Sequence, residues 1–254
     1  MTCAHNLPPD PVRDAGFPTV EQLRRGVVLN CIAHSFWLTA HQPVFQMYWD
    51  DNTFFEDNIR GEHWAVAFAP GGAVAAFYSS ESDRNPYPEG SPPYDQSRFF
   101  AGMPRRLEPV RTRALAHMYD LDFRCGNPSG AVVTAAMWAD GARSTAIEPW
   151  ADVYDHGLWV LRNYLLPPEE ALREWWNGMG FPDSHRWAAW SQFERRLAAT
   201  APVIPVEPRE WDVLVQVAGG DPDRAALAED LLAGVGITVA PFANVDQFRH
   251  LEGK

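Results

Sequence analysis

GEHWAVAFAPGGAVAAFY, running from Gly61 to Tyr78, has the pattern of the central ribbon on which the rest of the chain packs. Trp64, Val66 and Phe68 alternate with Ala65, Ala67 and Ala69. Beyond Pro70-Gly71-Gly72, Val74, Ala76 and Tyr78 alternate with Ala75 and Phe77. A period of two suits strands, whose successive side chains project to opposite faces, and a short glycine turn between two such runs predicts a hairpin. Its residues are small and apolar, fitted to packing at the centre of a sheet.

Immediately upstream lies VFQMYWDDNTFFEDNIR, Val44 to Arg60, where aromatic residues mix with Asp50, Asp51, Glu56 and Asp57. It reads as a strand or short helix leading into a loop. Downstream, Ser79 to Arg106 carries Pro86, Pro88, Pro92, Pro93 and Pro104. A connection of that length is uncommon in a compact domain unless it serves a function or is disordered. Leu107, Val110, Ala114, His117 and Leu121 then share one face of an expected helix after Pro109. Gly130 to Glu148 predicts a second hairpin around the turn dipeptide Asp140-Gly141. The two ribbons read either as a weak repeat or as one antiparallel sheet of at least four strands, and coincidence of composition explains the likeness equally well.

The remaining segments are mainly helical. Thr19 with Gln22 has the pattern of a capping box, and Val20, Leu23, Val27, Cys31, His34 and Leu38 form an apolar stripe behind it. Pro167-Pro168-Glu169-Glu170 is a good helix start, with Leu172, Trp175, Trp176 and Met179 as its inner stripe. Asp183 begins another helix to about Ala199, ridged by Trp190, Phe193 and Leu197. In the C-terminal part, Thr200 to Arg209 reads as a linker or extended edge. Trp211 to Val217 reads as a strand, Asp221 to Val235 as a helix and Ile237 to Ala240 as a strand. The expected fold class is α+β: an antiparallel sheet built on two β-hairpins, packed against several helices, with a small C-terminal β-α-β unit. The expected organisation is an extended lead-in over 1–18, a main α+β domain over 19–200, and the β-α-β unit over 201–254, either separate or adding strands to the main sheet.

Composition bounds the function. The 254 residues carry a formal charge of -12, which opposes binding to nucleic acid or to an anionic membrane. The same charge favours a basic protein partner. The three cysteines, Cys3, Cys31 and Cys125, are spaced for neither a disulfide framework nor a CxxC metal site, which points to a reducing compartment. The N-terminal residues have no basic and apolar leader pattern, and no apolar run reaches the length of a membrane span, so a cytoplasmic location is expected.

No catalytic signature stands out. His34 and His41 are two helical turns apart, roughly 10 Å along the axis, too far to share a metal. Glu62 and His63 are strand neighbours and face opposite ways. His156 near Asp152 and Asp155 is a candidate for proton transfer or metal binding. No serine sits in a GxSxG elbow, and Cys31 lies in an apolar stripe. Cys125 beside Arg124 has the setting of an activated thiol, though nothing else joins it. Gly219-Gly220-Asp221 lacks both phosphate-loop patterns, and its acids oppose a phosphate.

The surface expected to do the work is therefore Trp49, Asp50, Asp51, Phe54, Phe55, Glu56 and Asp57. Aromatic anchors supply affinity and acidic charge steers a basic partner. The leading expectation is a non-enzymatic, acidic protein-binding module without a cofactor, of the immunity or antitoxin type, that neutralises a basic toxin or enzyme. The alternative is a metal-assisted or acid–base hydrolase with its site under the 79–106 loop, using His63 or His156 with nearby carboxylates.

Overall fold

The computed structural model describes residues 10–40, 46–50, 52–58, 61–87, 94–118, 130–158, 161–179, 182–218 and 222–238. Asp51, Cys3, Cys125, His41 and Leu121 lie outside the described residues. The fold class is α+β. A six-stranded antiparallel sheet runs in sequence order from β1 to β6. Its strands are β1 (Gln46–Asp50), β2 (Thr53–Asp57), β3 (Glu62–Ala69), β4 (Gly72–Ser79), β5 (Ala135–Asp140) and β6 (Ser144–Thr145).

The β3–β4 hairpin is central, as its alternation predicts. Ala69 faces Gly72 across a two-residue turn in which Gly71 takes φ 77°, a conformation open to glycine at no steric cost. The Asp140-Gly141 turn also forms, and Gly141 N–H donates to the Gly71 carbonyl at 2.7 Å, so the two turns are tied together. The β6 side of the second hairpin is only two residues long. The Val44–Arg60 segment, expected as one strand or short helix, is instead a third hairpin. Asn52, at φ 59°, turns β1 onto β2, a role for which a short polar side chain is suited.

Both faces of the sheet are covered. Phe55, Ala65, Val74, Ala76 and Trp138 pack with Phe99, Phe100, Leu107 and Val110. The last of these sits on α3 (Glu108–Leu115), which begins where the proline pattern places it. On the opposite face, Phe54, Trp64 and Phe77 form an aromatic layer, with Tyr164 edge-on to Trp64 at 4.9 Å. Tyr164 belongs to α5 (Arg162–Leu165), which follows α4 (Trp150–Val153) and a π-helical turn over Tyr154–Leu158. Gly157 of that turn lies so close to the sheet that a Cβ would meet Phe77 Cβ at 2.5 Å.

Residues 10–18, expected to be extended, hold the short helix α1 (Pro11–Asp14), capped by Asp10, whose carboxylate accepts from Val12 N–H at 2.9 Å. The capping box is present. Gln22 Oε1 accepts from Thr19 N–H at 2.8 Å, and Thr19 Oγ1 accepts from Gln22 N–H at 3.1 Å. It opens α2 (Val20–Ala40).

The chain divides into two compact units, residues 1–30 with 43–178 and residues 31–42 with 179–254. The sheet and its layers form the first, together with α6 (Pro168–Met179). The second holds the end of α2, α7 (Asp183–Ala198), α8 (Pro208–Ala218) and α9 (Pro222–Gly234), and the strands β7 (Ile204–Pro205) and β8 (Ile237–Thr238). The expected β-α-β unit holds only loosely, with two helices between its parallel strands and a different first strand. Trp211 to Val217 is helical, and β8 pairs in parallel with β7 instead. Pro208 and Glu210 occupy the first turn of α8, and the fully buried Glu210 carboxylate accepts from Arg195 and Ser191 of α7 at 2.7 and 2.8 Å. With Leu214 four residues on, these contacts fit a helical face, so tertiary pairing overrides the strand-like run of Val213, Val215 and Val217.

Candidate functional site

The β1–β2 hairpin carries six of the seven residues of the expected docking surface, all but Asp51, and antiparallel pairing sorts these six onto two faces. Tyr48 opposes Phe55, Asp50 opposes Thr53 and Gln46 opposes Asp57 on one face. Met47 opposes Glu56 and Trp49 opposes Phe54 on the other. Phe54, Phe55 and Glu56 are buried and unavailable to a partner. Both sides of β2 are covered, which alternation alone did not reveal. Trp49 is half-buried, stacked against Phe68 with ring centroids 6.1 Å apart. Asp50 is exposed and Asp57 half-buried.

What remains outward is a cluster on the face of β1, at the outer edge of the sheet. Tyr48, 39% exposed, packs its ring on Phe55 at 4.6 Å and sits edge-on to His117. Its hydroxyl is 3.1 Å from His117 Nδ1, while His117 Nε2 lies 3.6 Å from the Asp50 carboxylate. The tautomer that accepts from Tyr48 at Nδ1 turns its Nε2–H toward Asp50, which satisfies both neighbours. Burial and the Asp50 charge raise the Tyr48 pKa, keeping the hydroxyl a donor. Beneath it, His63 Nε2–H donates to the His117 carbonyl at 2.6 Å, and its Nδ1 is 3.9 Å from Asp57. Burial lowers the His63 pKa and outweighs Asp57, so the ring stays neutral. Tyr48 and His117 were missed as members of this surface. The sequence signal for Tyr48 was its place two residues before Asp50 on a strand.

Glu56 turns to the opposite side, where its Oε2 accepts from Tyr164 O–H at 2.5 Å and Trp64 Nε1–H at 2.7 Å. Burial pushes its pKa up to about 7 against these donors, with Glu62 and Asp57 adding like charge. Glu62 is itself buried and bonded to the Asn58 side chain. The Glu62–His63 pair thus faces two ways, as strand geometry requires.

His156 does reach the start of the 79–106 loop. Its Nδ1 is 3.1 Å from Ser82 Oγ and 3.4 Å from Asp83 Oδ1. Burial and the nearby Arg84 lower its pKa. Both neighbours meet the same ring nitrogen, whereas a nucleophile and an orienting acid need opposite nitrogens. His34 is fully buried, pushed to about 3 by burial, and stacked on Trp37 at 5.2 Å. Cys31 is buried as its stripe implied. Among the described residues, no three His, Cys, Asp or Glu side chains group closely enough to hold a metal ion, and no helix is long and apolar enough to cross a membrane.

No family model, curated protein or solved structure matches this chain, so the reading of the site rests on its own residues.

Proposed function

We propose that the chain is a non-enzymatic, cytoplasmic protein-binding module that docks a basic protein through the outer face of β1, in the manner of an immunity or antitoxin-type inhibitor. The observation that carries this is the exposed pair Tyr48 and Asp50 on the outermost strand of the sheet, in a chain of net charge -12. Tyr48 is a rigid amphipathic anchor already braced by Phe55 and His117. Asp50 beside the turn and Asp57 at the other end of the hairpin offer carboxylates to lysine or arginine, and the overall charge speeds encounter with a basic surface. β1 also pairs on one side only among the described residues, which leaves main-chain groups at its outer edge.

The test is affinity purification from native lysate with wild type and with a Tyr48→Ala/Asp50→Lys variant of unchanged thermal stability. One basic protein, retained stoichiometrically by the wild type and lost by the variant, is the expected result. No stoichiometric partner, or equal retention by both, refutes the reading.

The Ser82–His156 contact favours a second reading, an acid–base hydrolase at the start of the 79–106 loop. In it His156 takes the Ser82 proton as Ser82 attacks an acyl carbonyl, returns it to the leaving group as the acyl–leaving-group bond breaks, and then activates water to hydrolyse the acyl-serine. Covalent labelling of Ser82 by a fluorophosphonate, abolished by His156→Ala, would establish it. Absence of labelling would end it.

A further inference from the structure

A cleft of about 710 Å³ opens between the first turns of α2 and the β3–β4 turn, away from the outer face of β1. Arg24, Glu21, Asn52, Phe68, Pro70 and Ala142 are among its lining residues. Its chemistry is unlike that of the rest of this acidic surface. The exposed Arg24 guanidinium lies over the Phe68 ring, 5.1 Å from the centroid. The ring's negative face favours a cation in this position and leaves the guanidinium N–H groups for a planar acceptor.

Among the described residues Arg24 makes no ion pair, although Glu21 stands three positions away on the same helix, a spacing at which pairs form. Near the N-terminal end of a helix a cation gains nothing from the helix dipole. An arginine held there, off its nearest acid, is an unmet anion site. Asn52 adds a second donor. Its backbone carbonyl accepts from Phe68 N–H at 2.9 Å, which ties the residue beside the same ring. Pro70, Ala69 and Ala142 supply apolar wall.

We infer that this cleft binds a carboxylate carried on a small apolar or aromatic body, with Arg24 and Asn52 on the carboxylate and Ala69, Pro70 and Ala142 against the body. Glu21 limits the ligand to a single negative charge, since a second would face it. A free organic acid and the C-terminal residue of a peptide share this chemistry. The site is independent of the docking reading, because Tyr48 does not line it.

The experiment is a ligand-detected NMR titration of the full chain with benzoate, with N-acetylphenylalanine and with N-acetylphenylalaninamide. Binding of benzoate alone identifies free organic acids as the ligand class. Tighter binding of N-acetylphenylalanine than of benzoate identifies a peptide C-terminus. In either case Arg24→Gln should weaken binding by about tenfold or more, the usual effect of losing a charge-assisted pair. Glu21→Gln should tighten it, and Arg25→Gln, one position off the cleft, should leave it unchanged. Thermal melts of each variant separate lost binding from lost folding. Equal binding of the acid and the amide, equal binding by wild type and Arg24→Gln, or no binding of either acid would overturn the inference.

Discussion

Replacing Glu56 by glutamine should make the protein more stable at pH 8 and leave its stability at pH 4 little changed. The carboxyl group is buried beneath β2, and its folded-state pKa is about 7 against an ordinary 4.5. A raised acid pKa means that the folded state holds its proton more tightly than the unfolded chain. The stabilising contribution is therefore complete below about 4.5, declines as pH rises through the window to 7, and is gone above it. At 1.36 kcal/mol per unit, the loss across this window is on the order of 3 kcal/mol. Glutamine cannot ionise, yet its carbonyl can still accept from Tyr164 and Trp64. Urea unfolding of both proteins at half-unit steps from pH 4 to 8 measures the difference, and subtraction cancels every other titrating group. The expected difference is near zero at pH 4 and grows to about 3 kcal/mol in favour of Glu56→Gln at pH 8. A difference that is flat with pH, or that favours wild type at pH 8, would refute the placement of Glu56 in the core.

Two further substitutions test the packing. Gly26 sits in the interior of α2, and a Cβ there would overlap the Tyr164 carbonyl oxygen, a backbone atom that cannot swing aside. Gly26→Ala should destabilise by about 2–3 kcal/mol despite alanine's better helix propensity, as read by thermal or urea unfolding. In α7, both polar atoms of the fully buried Gln192 amide lack a hydrogen-bond partner among the described residues. Gln192→Met removes that desolvation cost at similar volume and should raise stability by about 1–2 kcal/mol, visible as a higher melting temperature.

Features that depend on neighbours in sequence were legible. The β3–β4 ribbon, the Asp140-Gly141 turn, the Thr19–Gln22 cap and the helices that begin at Pro168 and Asp183 all follow from turn chemistry and short-range periodicity. The β1–β2 hairpin escaped because its turn residue, Asn52, follows two aspartates and reads as part of an acidic loop. The α8 helix escaped because Val213, Val215 and Val217 alternate like a strand, while the contact that favours a helix, Glu210 with Arg195 and Ser191, comes from a distant element.

The candidate site marks the same division. Sequence alone determined that Trp49 to Asp57 would be rich in aromatic rings and carboxylates, and that the whole chain would be acidic. Alternation separates adjacent residues onto two faces, but it does not say whether one face or both is covered. In this fold helices and turns cover both faces of β2, so Phe54, Phe55 and Glu56 enter the core while Tyr48 and Asp50 stay outside. The central ribbon at Gly61–Tyr78 was readable from its own residues because its strands touch each other across a two-residue turn. The environment of Glu56 was not, because Tyr164 reaches it from 108 positions away in the chain.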